Sequence, residues 1–134
     1  MGPYVVVRKV TVSDAAGFAR VWVGSWKRAY ATVLPPDLLD SAEYDTHEAG
    51  IRRHLRRSRR ASAVFVAVEE AAQVLGVALV RAIQSDPKGF TAELDGIYVL
   101  PARQHEGVGR RLVLQVARWS QAHNHRAWLG VRST

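Results

Sequence analysis

The run Gln104-His105-Glu106-Gly107-Val108-Gly109, followed by Arg110 and Arg111, has residue types suited to holding an anion. It follows a β-branched segment, and the spacing beyond it predicts a helix. The first N–H groups of a helix have no intrahelical partner and carry the positive end of the helix dipole. Glycine lets a ligand approach such a backbone closely, so a pyrophosphate fits there, and the two arginines add charge. A Gly-x-Gly at a helix start taken alone also describes a tight loop packed under the helix. Upstream, Glu93 and Asp95 lie two residues apart and share a face if their strand is regular. The spacing leaves open whether they carry chemistry or form a solvated or salt-bridged pair. His105 falls inside the glycine-rich run, whereas His47, His54, His123 and His125 show no ligand spacing, so no metal site is expected. The chain has no cysteine, which excludes disulfides, zinc-thiolate sites and thiol nucleophiles.

The 134 residues fit one domain, residues 1–134, and the balance of 48% hydrophobic to 23% charged residues is that of a globular chain. No apolar run approaches the roughly 20 residues of a membrane helix. The start, MGPYVVVRKV, lacks the pattern of a secretory signal, so no membrane partner is expected and a cytoplasmic location is. Net charge is +7, and Arg52, Arg53, Arg56, Arg57, Arg59 and Arg60 supply six positive charges within nine residues. That cluster reads as a solvated helix face, or as a surface for an acidic substrate or nucleic acid. It lacks the interleaved aromatics that stack on bases.

The elements that must position these groups follow from periodicity. Residues 4–11 read as a strand, and Ser13 and Asp14 offer cap chemistry for a helix over about 14–31. In that helix Phe18, Trp22, Trp26 and Ala29 form an apolar stripe. Pro35-Pro36 ends it, a further helical turn follows, and Asp45 with Glu48 suggests the start of a helix over about 46–58. Residues 63–69, 74–84 and 90–99 read as an antiparallel meander with turn chemistry at Asp86-Pro87-Lys88-Gly89. A helix over about 107–123 places Val108, Leu112, Val116 and Trp119 on one face. A strand over 127–132 then runs parallel to 90–99, because a helix joins the two. The order β-α-α-β-β-β-α-β predicts an α+β fold, an α/β sandwich around one mixed sheet.

In that setting the segment from Ala92 to Leu112 resembles the central motif of the GNAT superfamily of N-acetyltransferases. The matching elements are Ile97-Tyr98-Val99, Pro101 and Gln104-x-x-Gly107-x-Gly109. Arg8, Asp14, Ser25-Trp26-Lys27-Arg28-Ala29-Tyr30, Leu34-Pro35 and Leu39-Asp40 extend the likeness over essentially the whole chain. The resemblance implies acetyl transfer from acetyl-CoA to an amine, with acetyl-CoA as co-substrate and no metal. It implies that the backbone of Ile97, Tyr98 and Val99 pairs with the pantetheine arm and faces the thioester oxygen. Gln104, His105, Glu106, Gly107, Val108, Gly109 and Arg110 would then hold the pyrophosphate. Glu93 falls where histone-type members carry their catalytic glutamate, and Asp95 is the second candidate base. Trp26 and Tyr30 become candidate acceptor contacts, beside the alternative that the tryptophans are core.

Two features depart from the family pattern. Glu106 precedes Gly107 where a basic residue or glycine is usual, and its charge repels a pyrophosphate unless Arg103, Arg110 or Arg111 compensates. The resemblance also implies a further helix and closing β-hairpin after 127–132, which would supply an Asn and a Tyr that protonates the departing thiolate. Without them the sheet edge at 127–132 lies open, and homodimerisation through it is expected. The leading reading is an N-acetyltransferase acting on a primary amine of a small molecule, peptide or protein, the acceptor itself being unspecified. The alternatives are a reduced relative acting as a CoA-binding or interaction module, and a nucleic-acid binder using the 52–60 arginines.

Overall fold

The computed structural model describes residues 4–40, 44–56, 62–70, 73–84, 87–125 and 127–128. Strand β1 spans Val5–Lys9, and a 3-10 turn at Val12–Asp14 leads into helix α1, Ala15–Ala29. A five-residue helix α2, Pro36–Asp40, and helix α3, Tyr44–Arg56, follow. Strands β2 (Ser62–Glu69), β3 (Val74–Ala82) and β4 (Ala92–Val99) form the meander. Helix α4, Val108–Ala122, then leads to β5, Ala127–Trp128. The sheet runs in the order β1-β2-β3-β4-β5, antiparallel through β4 and parallel between β4 and β5. The predicted order and mixed sheet are those observed. The rest of the predicted 127–132 strand, and Arg57, Arg59 and Arg60 of the arginine cluster, lie outside the described residues.

Alternation along the strands sorts the core into two layers. Ala63, Phe65, Ala67, Ala78, Val80, Ala92 and Leu94 face α4 and pack on Val108, Leu112, Val116 and Trp119. Val64, Val66, Val68, Val74 and Val77 face the other way, toward Phe18 and Val21 of α1 and Ile51 of α3. The i, i+4, i+8, i+11 stripe of α4 is therefore buried as its periodicity requires. The stripe of α1 is only half so: Phe18 is buried and Trp22 partly so, whereas Ala29 is exposed beyond the sheet edge.

Two local predictions shift. Asp14 does not cap α1 through its side chain; it is buried and accepts from Arg8 at 2.7 and 3.1 Å and from the Thr11 N–H at 2.7 Å. Burial alone would raise its pKa, but the bonds from Arg8 and Thr11 outweigh that and lower it. Asp45 sits in the first turn of α3 rather than before it, where its charge complements the helix dipole.

The edge strand β1 is closed by side chains. The Val10 N–H donates to Val64, so alternate residues of β1 face β2, and Val5, Val7 and Lys9 turn their carbonyls outward. Arg111 of α4 donates to the Val5 carbonyl at 2.8 Å, Gln115 to that of Val7 at 3.4 Å, and Arg8 to that of Lys9 at 3.1 Å.

Candidate active site

Strand β4 and the loop before α4 are joined at Val99, whose carbonyl accepts from Gln104. Leu79 and Val80 of β3 stand opposite Gly96 and Leu94, so Asp95 is the extra residue of a β-bulge. The bulge reverses the alternation: Ala92 and Leu94 face α4 before it, and Ile97 and Val99 do after it. Tyr98 is thereby turned to the α1 side, where Trp22 meets its ring edge-on at 4.9 Å. Glu93 and Asp95 were expected on one face of a regular strand. The strand is not regular, yet both carboxylates reach Arg81 of β3, at 3.3 Å and 2.9 Å.

Past the bulge the outer edge of β4 is open among the described residues. Parallel pairing with β5 covers Ala92 and Glu93, and among the described residues no strand pairs with this edge farther along. The Leu100 N–H donates to Leu75 of β3 at 2.8 Å, so the backbone of Tyr98 faces β3 as well. The N–H and C=O groups of Ile97 and Val99 consequently face outward. Gln104 donates from its side-chain amide to the Val99 carbonyl at 3.2 Å, which fixes the loop to the end of the strand.

Beyond a 3-10 turn at Pro101–Arg103, the backbone alternates in hand. His105 has φ +67° and Gly107 φ +83°, both left-handed, with Glu106 between them outside that region. Such alternation turns successive N–H groups toward one concavity, and a helix N-terminus follows directly. Among the described residues, no backbone or side-chain acceptor takes the N–H groups of residues 105–110. A Cβ on Gly107 would meet nothing within 4 Å, and one on Gly109 would meet only Val99, at 3.7 Å. N–H donors unpartnered among the described residues, beside the open space at Gly107, suit an anion. Val108 offers the site its N–H alone, because its side chain is buried in the α4 core. Arg110 is exposed and without an ion-pair partner among the described residues, whereas Arg111 is committed to β1. The Glu106 carboxylate is held by Arg103 at 3.1 Å.

On the α1 side lies an aromatic wall. Trp26 packs on Tyr30 with ring centroids 5.1 Å apart, and Tyr30 is close enough to Tyr98 to act on it electrostatically. Burial first, and then Tyr30, push the Tyr98 hydroxyl above its usual pKa, so it stays protonated at neutral pH. Among the described residues no three His, Cys, Asp or Glu side chains converge as a metal site would require.

Sequence reasoning missed three residues of this region. Arg81 clamps both carboxylates, Trp22 positions Tyr98, and Gly96 makes room for Trp22, whose Cη2 lies 2.8 Å from where a Gly96 Cβ would be. The glycine inside a strand pattern was the available signal for the last.

The sequence profile of the Acetyltransferase (GNAT) family matches residues 26–134. The chain belongs to that family. It is 35% identical over 119 residues to the Bacillus subtilis (strain 168) protein described as uncharacterized N-acetyltransferase YuaI, covering 89% of this chain and 66% of that protein. Identity is 31% over 122 residues to aminoglycoside N(6')-acetyltransferase type 1 of Stenotrophomonas maltophilia, covering 86% and 67%. The chain spans about two thirds of the length of these relatives. The fold is that of PaiA N-acetyltransferase from Thermoplasma acidophilum, solved in complex with coenzyme A, at TM-score 0.78 and 20% identity over 96% of this chain and 79% of that one.

Proposed function

We propose that this GNAT chain transfers an acetyl group from acetyl-CoA to an amine. The observation that carries the reading is the run of six N–H groups at residues 105–110 that are unpartnered among the described residues, adjoining the outward backbone of Ile97 and Val99. Gln104, His105, Glu106, Gly107, Val108, Gly109 and Arg110 form the diphosphate seat, mainly through backbone donors. Ile97 and Val99 offer a strand edge for an amide-bearing arm, with Tyr98 between them fixing the strand to β3 and α1. When bound, acetyl-CoA supplies an activated thioester. The outward N–H groups of the β4 edge donate to the oxygen on which negative charge develops.

The acceptor enters from the α1 side, against Trp26 and Tyr30. An amine attacks only when unprotonated, so its proton must leave first. Glu93 takes that proton, directly or through water. Arg81 holds Glu93 only through Oε2 at 3.3 Å, which leaves Oε1 without a partner among the described residues. Asp95, with the shorter bond at 2.9 Å, chiefly fixes Arg81 and is the second candidate base. Aromatic faces beside two carboxylates suit a cationic amine. An aminoglycoside, the acceptor in the name of the Stenotrophomonas relative, has that character.

The test is acetyl-CoA-dependent thiol release against a panel comprising an aminoglycoside, a linear polyamine, a lysine peptide and an acidic amino acid. Turnover with a cationic amine, lowered about 100-fold in Glu93→Gln, is the expected result. Unaltered turnover in Glu93→Gln would remove the base assignment. Acetyl-CoA binding without turnover on any amine would favour the CoA-binding module over the enzyme.

A further inference from the structure

The loop that seats the diphosphate contains a carboxylate that works against it. Glu106 directly precedes Gly107, its side chain is half exposed, and it belongs to the same loop as the N–H groups that are unpartnered among the described residues. Arg103 donates from Nε to both Glu106 oxygens, at 3.2 and 3.1 Å, and from Nη1 to Glu69 at the end of β2, at 2.9 Å. The triad therefore carries two negative charges and one positive. Arg103 is spread over two carboxylates, and only its Nη2 is left uncommitted among the described residues.

A salt bridge of this kind contributes little to folding at the surface. Its effect on an anion is larger, because at physiological salt charges interact within about 8 Å with limited screening. The free N–H groups and Arg110 attract a diphosphate, and the net charge of the triad opposes them. Arg103 prevents the opposition from being complete. It also ties the loop to β2, 34 residues away in sequence.

We infer that Glu106, restrained by Arg103, is a built-in limit on diphosphate affinity that speeds departure of the spent CoA. This rests on the reading of residues 104–110 as the CoA seat. Glu106 sets the strength of the hold, and Arg103 is a positioning residue that keeps Glu106 from abolishing it. The arrangement favours turnover over tight binding, since product release limits the rate of many enzymes.

Calorimetric titration with CoA and stopped-flow measurement of its release test the inference in wild type, Glu106→Gln, Arg103→Met and the double variant. At low salt, Glu106→Gln should bind CoA about tenfold more tightly, mostly through slower release, and the gain should fade at about 1 M salt, where screening reaches about 3 Å. Arg103→Met should weaken binding, and adding Glu106→Gln to it should restore wild-type affinity or better. Unchanged or weaker binding in Glu106→Gln, or a gain that ignores salt, would overturn the inference while leaving the CoA seat intact. Absence of CoA binding in wild type would instead overturn the seat itself, and the inference with it.

Discussion

His105 is the residue where backbone and side chain make separable predictions. Its φ of +67° is strained for any residue with a Cβ. Replacing it with glycine should raise stability by about 1 kcal/mol in denaturant titration. CoA affinity should be retained, because the proposed seat uses the N–H of residue 105, which glycine keeps. His105→Val should do the reverse to stability. Asp14 gives a pH prediction. Its pKa is lowered in the fold, so the stabilisation it provides is present above the unfolded carboxylate value of about 3.9 and is lost as pH falls through the lower folded value. Asp14→Asn should therefore cost about 1.5–3 kcal/mol at pH 7, and the gap to wild type should narrow below about pH 4. A gap that stays constant down to pH 2 would show that charge is not what Asp14 contributes.

At the scale of elements, the seating of α4 on the sheet is set by small residues. A Cβ on Gly76 of β3 would lie 3.1–3.2 Å from Leu112, Val108 and the Tyr98 carbonyl, so Gly76→Ala should push α4 outward. A cost of about 1–3 kcal/mol is expected by thermal or chemical unfolding, with weaker CoA binding because the α4 N-terminus moves. The stripe of α4 and the meander of β2, β3 and β4 were legible in the sequence because each depends on local periodicity alone. The bulge at Asp95 was not, because a register shift belongs to two strands together. The bridges of Arg81 to Glu93 and Asp95 and of Arg103 to Glu69 were not legible either, because those partners lie 12 to 34 residues away and meet only through the sheet, whereas Arg103 with Glu106, three residues on, was. The glycine-rich run was legible as a loop opening a helix, but its alternation of hand required the left-handed His105, for which histidine is a weak signal. The capping of β1 by Arg111 and Gln115 carries its own test. Removing both side chains should expose the Val5 and Val7 carbonyls and produce concentration-dependent association in sedimentation, which wild type should not show through that edge.

Taken as a whole molecule, the chain places two sets of polar groups about one strand. Beyond the end of β4 lie the N–H groups of residues 105–110, unpartnered among the described residues, and the α1 side carries the aromatic wall and the carboxylate pair. Arg52, Arg53 and Arg56 are exposed on α3, where Arg52 pairs with Glu48 at 3.1 Å. The excess positive charge is concentrated there in sequence. Among the described residues no helix is long and apolar enough to cross a membrane. Under the proposed function the outer edge of β4 and residues 105–110 seat CoA, and backbone amide NMR during titration with CoA tests that placement. The largest shifts are expected at the N–H groups of residues 105–110 and of Ile97 and Val99, and they should be absent in Gly109→Leu, whose side chain fills the space beside Val99. Shifts confined to the α3 arginines, or none at saturating CoA, would contradict the account.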